Sequence, residues 1–86
     1  MKGLDLMKKY SLLDLMAIAL SPIETADDAS RYVQAINEIL NRIDTLTTYH
    51  DMIERFIEYN DMYHTTKNVS YMIKALNIML FYAERK

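Results

Sequence analysis

Residues that break helices are almost absent from this chain. Its 86 residues include one glycine, Gly3, and one proline, Pro22. Hairpins and phosphate-binding loops depend on such residues at their turns, whereas the rest of the sequence is rich in leucine, isoleucine, methionine and other good helix formers. The sequence therefore predicts an all-α fold, which we expect to be a small bundle of three to five helices.

The size of the chain limits how it can be stabilised. Hydrophobic residues make up 51% of the sequence and charged residues 26%, which fits a single helical domain over residues 1–86 and excludes a disordered chain. A domain this small buries only about 60% of the surface of its unfolded chain. The sequence contains no cysteine for a disulfide or a thiolate-zinc site. We therefore expect self-association, as a homodimer.

Charge and hydropathy limit the partners. Ten basic and twelve acidic residues give a net charge of −2, and the isoelectric point is about 5.6. Domains that bind nucleic acid directly are usually basic, so we expect no direct contact with nucleic acid. The apolar run at residues 12–20 contains Asp14 and is shorter than the ~20 residues that span a bilayer. We expect a cytoplasmic protein without a membrane contact.

Capping patterns divide the chain into helices. The first helix is predicted over residues 4–20. The segment Ser21–Glu24 fits a capping box, so a new helical turn is expected to begin at Pro22. The segment Thr25–Asp28 repeats the pattern and leads into a second helix.

The second helix has the clearest amphipathic pattern. Its apolar residues form one stripe at helical spacing: Ala29, Tyr32, Val33, Ile36, Ile39, Leu40, Ile43 and Leu46. Polar residues, including Glu38, lie opposite this stripe. Thr48 and Asp51 fit another capping pattern, which predicts a break before a third helix over residues 49–63, although one continuous helix to Tyr63 is the alternative. A fourth helix is predicted over residues 69–83, after a polar break.

The first and fourth helices are apolar on two faces. One stripe of the fourth helix is regular: Val69, Met72, Ile73, Leu76, Met79, Leu80 and Ala83. A helix that is apolar nearly all round must be covered nearly all round, and a partner surface is the expected cover in a small chain. The dimer interface predicted from the second faces contains Leu12, Leu15, Ile18, Tyr71, Ile78, Phe81 and Tyr82. The alternative is that both faces are buried in the core of a monomer.

Acidic residues recur along the third helix. Asp51, Glu54, Glu58 and Asp61 follow one another at spacings of three, four and three, which places them in one row opposite the apolar face. We call this row the acidic ridge. Complementary charge steers association, so the ridge, with nearby Tyr59, is predicted to contact a basic groove of a partner protein. An ordinary solvated helix face is the alternative.

The apolar face of the third helix contains one polar residue, Asn60. A buried asparagine usually specifies register or the number of partners. We therefore expect Asn60 to have such a role.

No motif predicts catalysis, a cofactor or a metal site. His50 with Glu54, and Asp61 with His64, have the spacing of metal-binding pairs. Metal sites in helical bundles need several such pairs on different helices, and the other helices contain no histidine. The serines lie at caps or on helices and have structural explanations. We therefore expect a protein that is not an enzyme and that needs no cofactor or metal.

The predicted function is stoichiometric binding of a larger protein. The chain would inhibit or modulate a host protein, such as a nucleic-acid-handling enzyme or a defence ATPase or nuclease. Its small size and its content of Met, Tyr, Asn and Ile resemble virus-encoded accessory proteins that block host enzymes or defence systems, as phage counter-defence proteins do. The alternatives are a transcription-associated regulator that reaches DNA through a partner, and a structural subunit of a larger complex.

Overall fold

The only regular secondary structure in the described part of the chain is helical. The computed structural model describes residues 7–43 and 49–85 and contains no strand in them. It has four α-helices in these residues: α1 Leu12–Leu20, α2 Ala26–Ile43, α3 His50–Thr66 and α4 Val69–Arg85. The predicted all-α class is confirmed, and four helices lie within the predicted range. None of the helices in the described residues is long and apolar enough to cross a bilayer.

The chain divides into two compact units, residues 1–44 and 45–86. In the first unit α1 packs against α2, and in the second unit α3 packs against α4. Each unit is therefore a pair of successive helices joined by a short connection. A single domain over residues 1–86 stays a prediction.

The first predicted helix is interrupted: Met7 and Lys8 are helical, residues 9–11 are not, and a second helical segment follows. Ser11 has an extended backbone (φ −68°, ψ 163°), and its Oγ accepts a hydrogen bond from the N–H of Asp14 (3.1 Å). Ser11 is therefore the N-cap of α1, which starts at Leu12. The prediction of one helix over residues 4–20 is wrong, and residues 4–6 of that range lie outside the described residues.

The connection from α1 to α2 also differs from the prediction. Residues 22–24 are not helical, so no helical turn begins at Pro22. The Ser21 hydroxyl donates a hydrogen bond to the carbonyl of Ala17 in α1 (3.0 Å) instead of capping a new helix. The first of the two adjacent capping patterns was therefore misinterpreted.

The second capping pattern starts α2. Thr25 Oγ1 accepts a hydrogen bond from the N–H of Asp28, and Asp28 Oδ2 accepts from the N–H groups of Glu24 and Thr25, all at 3.1 Å. These hydrogen bonds, led by that from Glu24, lower the pKa of Asp28 because they stabilise its carboxylate. The helix start predicted from Thr25–Asp28 is confirmed.

Two separate helices occupy the region where one continuous helix was the alternative. α2 ends at Ile43, and α3 begins at His50 after Tyr49, whose backbone is not helical (φ −107°, ψ 9°). The predicted capping residue Thr48 lies outside the described residues. The predicted break is confirmed.

A two-residue turn joins α3 to α4. Lys67 adopts the left-handed conformation (φ 62°, ψ 18°), and its N–H donates to the carbonyl of Tyr63 (2.7 Å). Asn68 Oδ1 accepts a hydrogen bond from the N–H of Ser70 (3.0 Å), which helps to start α4 at the predicted Val69. α3 runs three residues beyond its predicted end, to Thr66.

The buried residues of α2 differ in part from the predicted stripe. Glu38, predicted opposite the stripe, is buried, and its Oε2 pairs with Arg42 Nε at 2.8 Å. Arg42 Nη2 also donates to the carbonyls of Met7 (3.3 Å) and Lys8 (3.0 Å). Arg42 therefore joins α2 to the segment before α1. Two large residues of the predicted stripe are exposed instead: Val33 and Leu40.

Candidate protein-binding surfaces

The acidic ridge lies on the outer face of α3. The side chains of Asp51, Glu54, Glu58 and Asp61 are all exposed. The opposite face carries the fully buried Ile53, Phe56 and Asn60. Because burial holds that face in place, α3 presents its carboxylates outward in one row about three turns long.

No Lys or Arg side chain in the described residues forms an ion pair with the ridge. His50 Nδ1 lies 3.6 Å from Asp51 Oδ1 and 3.6 Å from Glu54 Oε1. Among the described residues, Glu58 and Asp61 form no ion pair. Negative charge on a surface of this kind attracts a positively charged surface over about a Debye length, ~8 Å at physiological salt.

Tyr59 lies apart from the ridge. Its ring is half-buried and stacks against Tyr71 of α4, with ring centroids 6.5 Å apart and an interplanar angle of 25°. Lys74 Nζ lies 5.5 Å from the Tyr59 ring centroid and 5.7 Å from that of Tyr71. The structure therefore places Tyr59 between α3 and α4.

The residues predicted for the dimer interface differ in exposure. In α1, Leu12 and Leu15 are buried and Ile18 is half-buried. Leu15 has no exposed surface, so it has none to offer to a second chain while the fold is kept. These side chains contribute to the interior of the chain.

The predicted interface residues of α4 face mostly inward. Tyr82 is buried. Its ring packs edge-on against that of Tyr49, with the ring centroids 5.1 Å apart. Tyr71 and Ile78 are half-buried, and Phe81 is exposed. Of this set, Phe81 has the most surface available to a partner.

The other apolar stripe of α4 is the exposed one. Val69, Ile73, Leu76 and Leu80 are between 40% and 62% exposed. Their spacings of four, three and four residues are those of the apolar positions in a heptad repeat. We call these four residues the α4 seam.

Sequence reasoning did not identify the α4 seam as the exposed face. Both faces of α4 are apolar, so periodicity alone cannot show which one packs against α3. The usable signal was Ala75, whose small side chain is fully buried. A small residue lets two helices approach closely, and Ala75 lies on the face of Tyr71 and Tyr82, away from the seam.

A groove runs along α3 and α4 on the side of Phe81. Its volume is about 610 Å³, and it is lined by Asp51, Met52, Arg55, Tyr59, Lys74, Asn77, Ile78 and Phe81. A second cavity of about 440 Å³ shares Met52 and Phe81 with it and adds Tyr49 and Arg85. Because they share lining residues, we treat the two as one feature, the α3–α4 groove.

The histidines and serines lie in local contacts. Ligand atoms of His50, Asp51 and Glu54 lie within 4.8 Å of one another. This group is in the first turn of α3, where the helix dipole disfavours a cation. Ser11 Oγ caps α1 and Ser30 Oγ accepts from Gln34 Nε2 (3.2 Å). The two serine hydrogen bonds are therefore local to α1 and α2.

Comparison with known proteins does not assign the chain to a family. Neither protein-family models, curated proteins nor solved structures provide a match to this chain.

Proposed function

We propose that this chain is a non-catalytic protein-binding module that acts as a stoichiometric inhibitor or modulator of a larger protein. The observation that supports this most is the acidic ridge. Its four carboxylates are exposed in one row, on a helix whose opposite face is buried. The helix that carries these charges is already held in place by its buried face. Binding a partner through the row therefore costs little conformational entropy.

The partner surface that fits the acidic ridge is a basic groove. A groove of this kind holds nucleic acid in many nucleic-acid-handling enzymes, and a row of carboxylates could occupy it in place of phosphates. We propose a cytoplasmic host enzyme, a defence ATPase or nuclease among them, as the target. Such binding is steered by charge, so its association rate falls as salt is raised.

The α4 seam supports self-association. Four large aliphatic side chains exposed at heptad spacing match the apolar contacts between paired helices. The residues that flank the seam are uncharged, namely Ser70, Met72, Asn77 and Met79. Two copies of α4 would therefore pair without like-charge repulsion, and we propose a homodimer through this seam, with the ridge left free.

The ridge is tested by neutralising it. The variant carries Asp51→Asn, Glu54→Gln, Glu58→Gln and Asp61→Asn. A control variant carries the same change in charge at exposed acids outside the ridge: Asp14→Asn, Glu24→Gln, Asp27→Asn and Glu84→Gln. The tagged chain and both variants are used for affinity capture from nuclease-treated host lysate, with quantitative mass spectrometry of the bound proteins.

We expect the natural chain and the control to capture one large protein, and we expect this capture to persist after nuclease treatment. The ridge variant should capture at least about tenfold less of it, which corresponds to ~1.4 kcal/mol in binding. Equal capture by all three chains would exclude the ridge as the contact. Capture that disappears with nuclease treatment would instead favour a regulator associated with nucleic acid.

A further inference from the structure

We propose that the α3–α4 groove is a docking site for an acidic amphipathic helix of a partner protein. The inference rests on the proposed function in treating the chain as a protein binder. The groove borders the acidic ridge and shares Asp51 with it, and the inference names the chemistry of the helix that binds there.

The floor of the groove is apolar. Met52 from α3 and Ile78 from α4 are half-buried, and the exposed Phe81 lines both cavities. An apolar floor favours the apolar face of an amphipathic segment over a fully hydrated chain. The occupant therefore has an apolar stripe.

The groove follows the direction of the two helices. Its lining residues recur about one turn apart, at positions 52, 55 and 59 of α3 and at 74, 78, 81 and 85 of α4. From 74 to 85 this is about 16 Å at the rise of an α-helix, or three turns. A groove between two adjacent helices is where a third helix packs in helical proteins, and helix-in-groove recognition uses the same geometry.

Cations outnumber carboxylates along the rim of the groove. Arg55, Lys74 and Arg85 lie along it, and within the described residues none of them forms an ion pair. Asp51, which also belongs to the acidic ridge, is the one carboxylate among the lining residues. Three cations thus border an apolar floor in a chain whose net charge is negative.

Aromatic rings position two of these cations. Lys74 Nζ lies over the rings of Tyr59 (5.5 Å) and Tyr71 (5.7 Å), and Arg85 Cζ lies 4.7 Å from the Phe81 ring centroid. A cation held against a ring face loses less side-chain entropy when it pairs with a carboxylate. The cations of the rim are therefore held in position to pair with carboxylates that flank the apolar stripe of a bound helix.

Charge on the neighbouring face favours a short acidic helix over nucleic acid. Residues 49–85 contain five acidic and four basic residues, and the acidic ridge lies on α3 beside the groove. A phosphate backbone that extended past the groove would meet the repulsion of the ridge. A helix of a few turns confines its acids to the rim, where the cations lie.

The test uses two synthetic peptides and the full chain. Each peptide is about 18 residues long, or five helical turns, carries leucine and isoleucine at heptad spacing, and is labelled with fluorescein. One peptide has glutamate at the flanking positions and the other has lysine there. Fluorescence anisotropy measures the affinity of the full chain for each peptide and for a labelled oligothymidine.

The variant for this test is Arg55→Glu with Lys74→Glu, since both side chains are exposed on the rim. The matched control is Lys8→Glu with Lys9→Glu, which makes the same change in net charge at exposed residues of the other unit. Circular dichroism establishes that both variants keep the helical content of the natural chain. Phe81→Ala tests the floor without changing the charge.

The natural chain and the control should bind the glutamate peptide at least about tenfold more tightly than the lysine peptide. The groove variant should reverse this preference, and Phe81→Ala should weaken the binding of both peptides. Equal losses in the groove variant and the control would overturn the inference, because net charge alone would then explain binding. Tighter binding of oligothymidine than of either peptide, lost in the groove variant, would also overturn it.

The same chains separate this inference from the proposed function. The ridge variant should bind the glutamate peptide at least as tightly as the natural chain does. If the ridge variant fails to capture a host protein but the groove variant reverses no peptide preference, the proposed function stands and the groove inference fails. If the groove variant reverses the peptide preference but the ridge variant captures the host protein as well as the natural chain does, the groove inference stands and the ridge is excluded as the contact.

Discussion

Asn60 is a polar side chain at full burial in α3. Neither its Nδ2 nor its Oδ1 has a hydrogen-bond partner among the described residues. A buried amide without partners retains the cost of leaving water, about 1–3 kcal/mol for each group. The sequence predicted that Asn60 lies on the apolar face, and the structure confirms that position. Its role in register or partner number stays a prediction.

Replacing Asn60 by leucine should stabilise the chain. Asn60→Leu removes two unsatisfied polar atoms and keeps the branching of the side chain at Cγ, so we expect the free energy of unfolding to rise by about 1–3 kcal/mol in urea titrations. Asn37→Leu, at an exposed position of α2, controls for the better helix propensity of leucine. A loss of stability in Asn60→Leu, with no change in the control, would contradict the interpretation.

Asp28 should give the stability of the first unit a specific dependence on acid. Its pKa is lowered in the folded chain from 3.8, chiefly by the hydrogen bond from the backbone of Glu24. A carboxyl whose folded pKa is lowered contributes stability above its unfolded pKa, and this contribution is lost as the pH falls through the folded value. The stability that Asp28 supplies is therefore present at neutral pH and disappears in strong acid.

Thermal melts at a series of pH values test this dependence. We expect Asp28→Asn to lower the melting temperature at neutral pH and to leave it almost unchanged in strong acid, where the natural carboxyl is protonated too. Asp27→Asn, at the exposed neighbouring position in the same turn, is the control. A constant difference between Asp28→Asn and the natural chain over the whole acid range would refute the assignment.

At the scale of the helix, the sequence predicted the number of elements better than their ends. Ser11 and Asp14 have the same three-residue spacing as Thr25 and Asp28, and both pairs form caps. The cap at Ser11 was missed because the residues around it are good helix formers, and helix propensity does not show a break between two helical segments. The capping patterns at Ser21 and Thr25 look alike in the sequence. Only the hydrogen bonds in the structure show that Thr25, and not Ser21, starts a helix.

Removal of the Ser11 cap should measurably destabilise α1. Ser11→Ala removes the acceptor of the Asp14 N–H, so we expect the free energy of unfolding to fall by about 1 kcal/mol. Ser30→Ala, inside α2, should change it by less than about 0.5 kcal/mol. Chemical denaturation measures both. Equal effects of the two changes would mean that Ser11 has no capping role.

The two faces of α4 show a second limit of sequence reasoning. The sequence shows that both faces of α4 are apolar. It does not show which face packs against α3 and which face stays exposed for an interface. Ala75 and Tyr82 are buried whereas Ile73 and Leu80 are exposed. The pairing of faces depends on side-chain size and shape at the contact, which hydropathy does not encode. The acidic ridge needed no such knowledge, because charged residues are seldom buried unpaired.

At the scale of the whole molecule, the α4 seam should determine the oligomeric state. Ile73→Glu with Leu80→Glu places four charges at the centre of the proposed dimer contact, so sedimentation velocity should show a monomer in place of a dimer. The control makes the same change at exposed aliphatic residues of α2, Val33→Glu with Leu40→Glu, which should leave the mass unchanged. A dimer that survives the seam variant would assign the contact to another surface.

The turn at Lys67 and Asn68 also bears on the speed of folding. Two residues close the α3–α4 pair, so its contacts join segments that are near in sequence, and little loop entropy opposes their formation. Chains with contacts of this kind fold in microseconds to milliseconds. After a transient unfolding event the second unit should therefore recover its ridge, seam and groove within about a millisecond, which leaves proteases little time to act on the open chain.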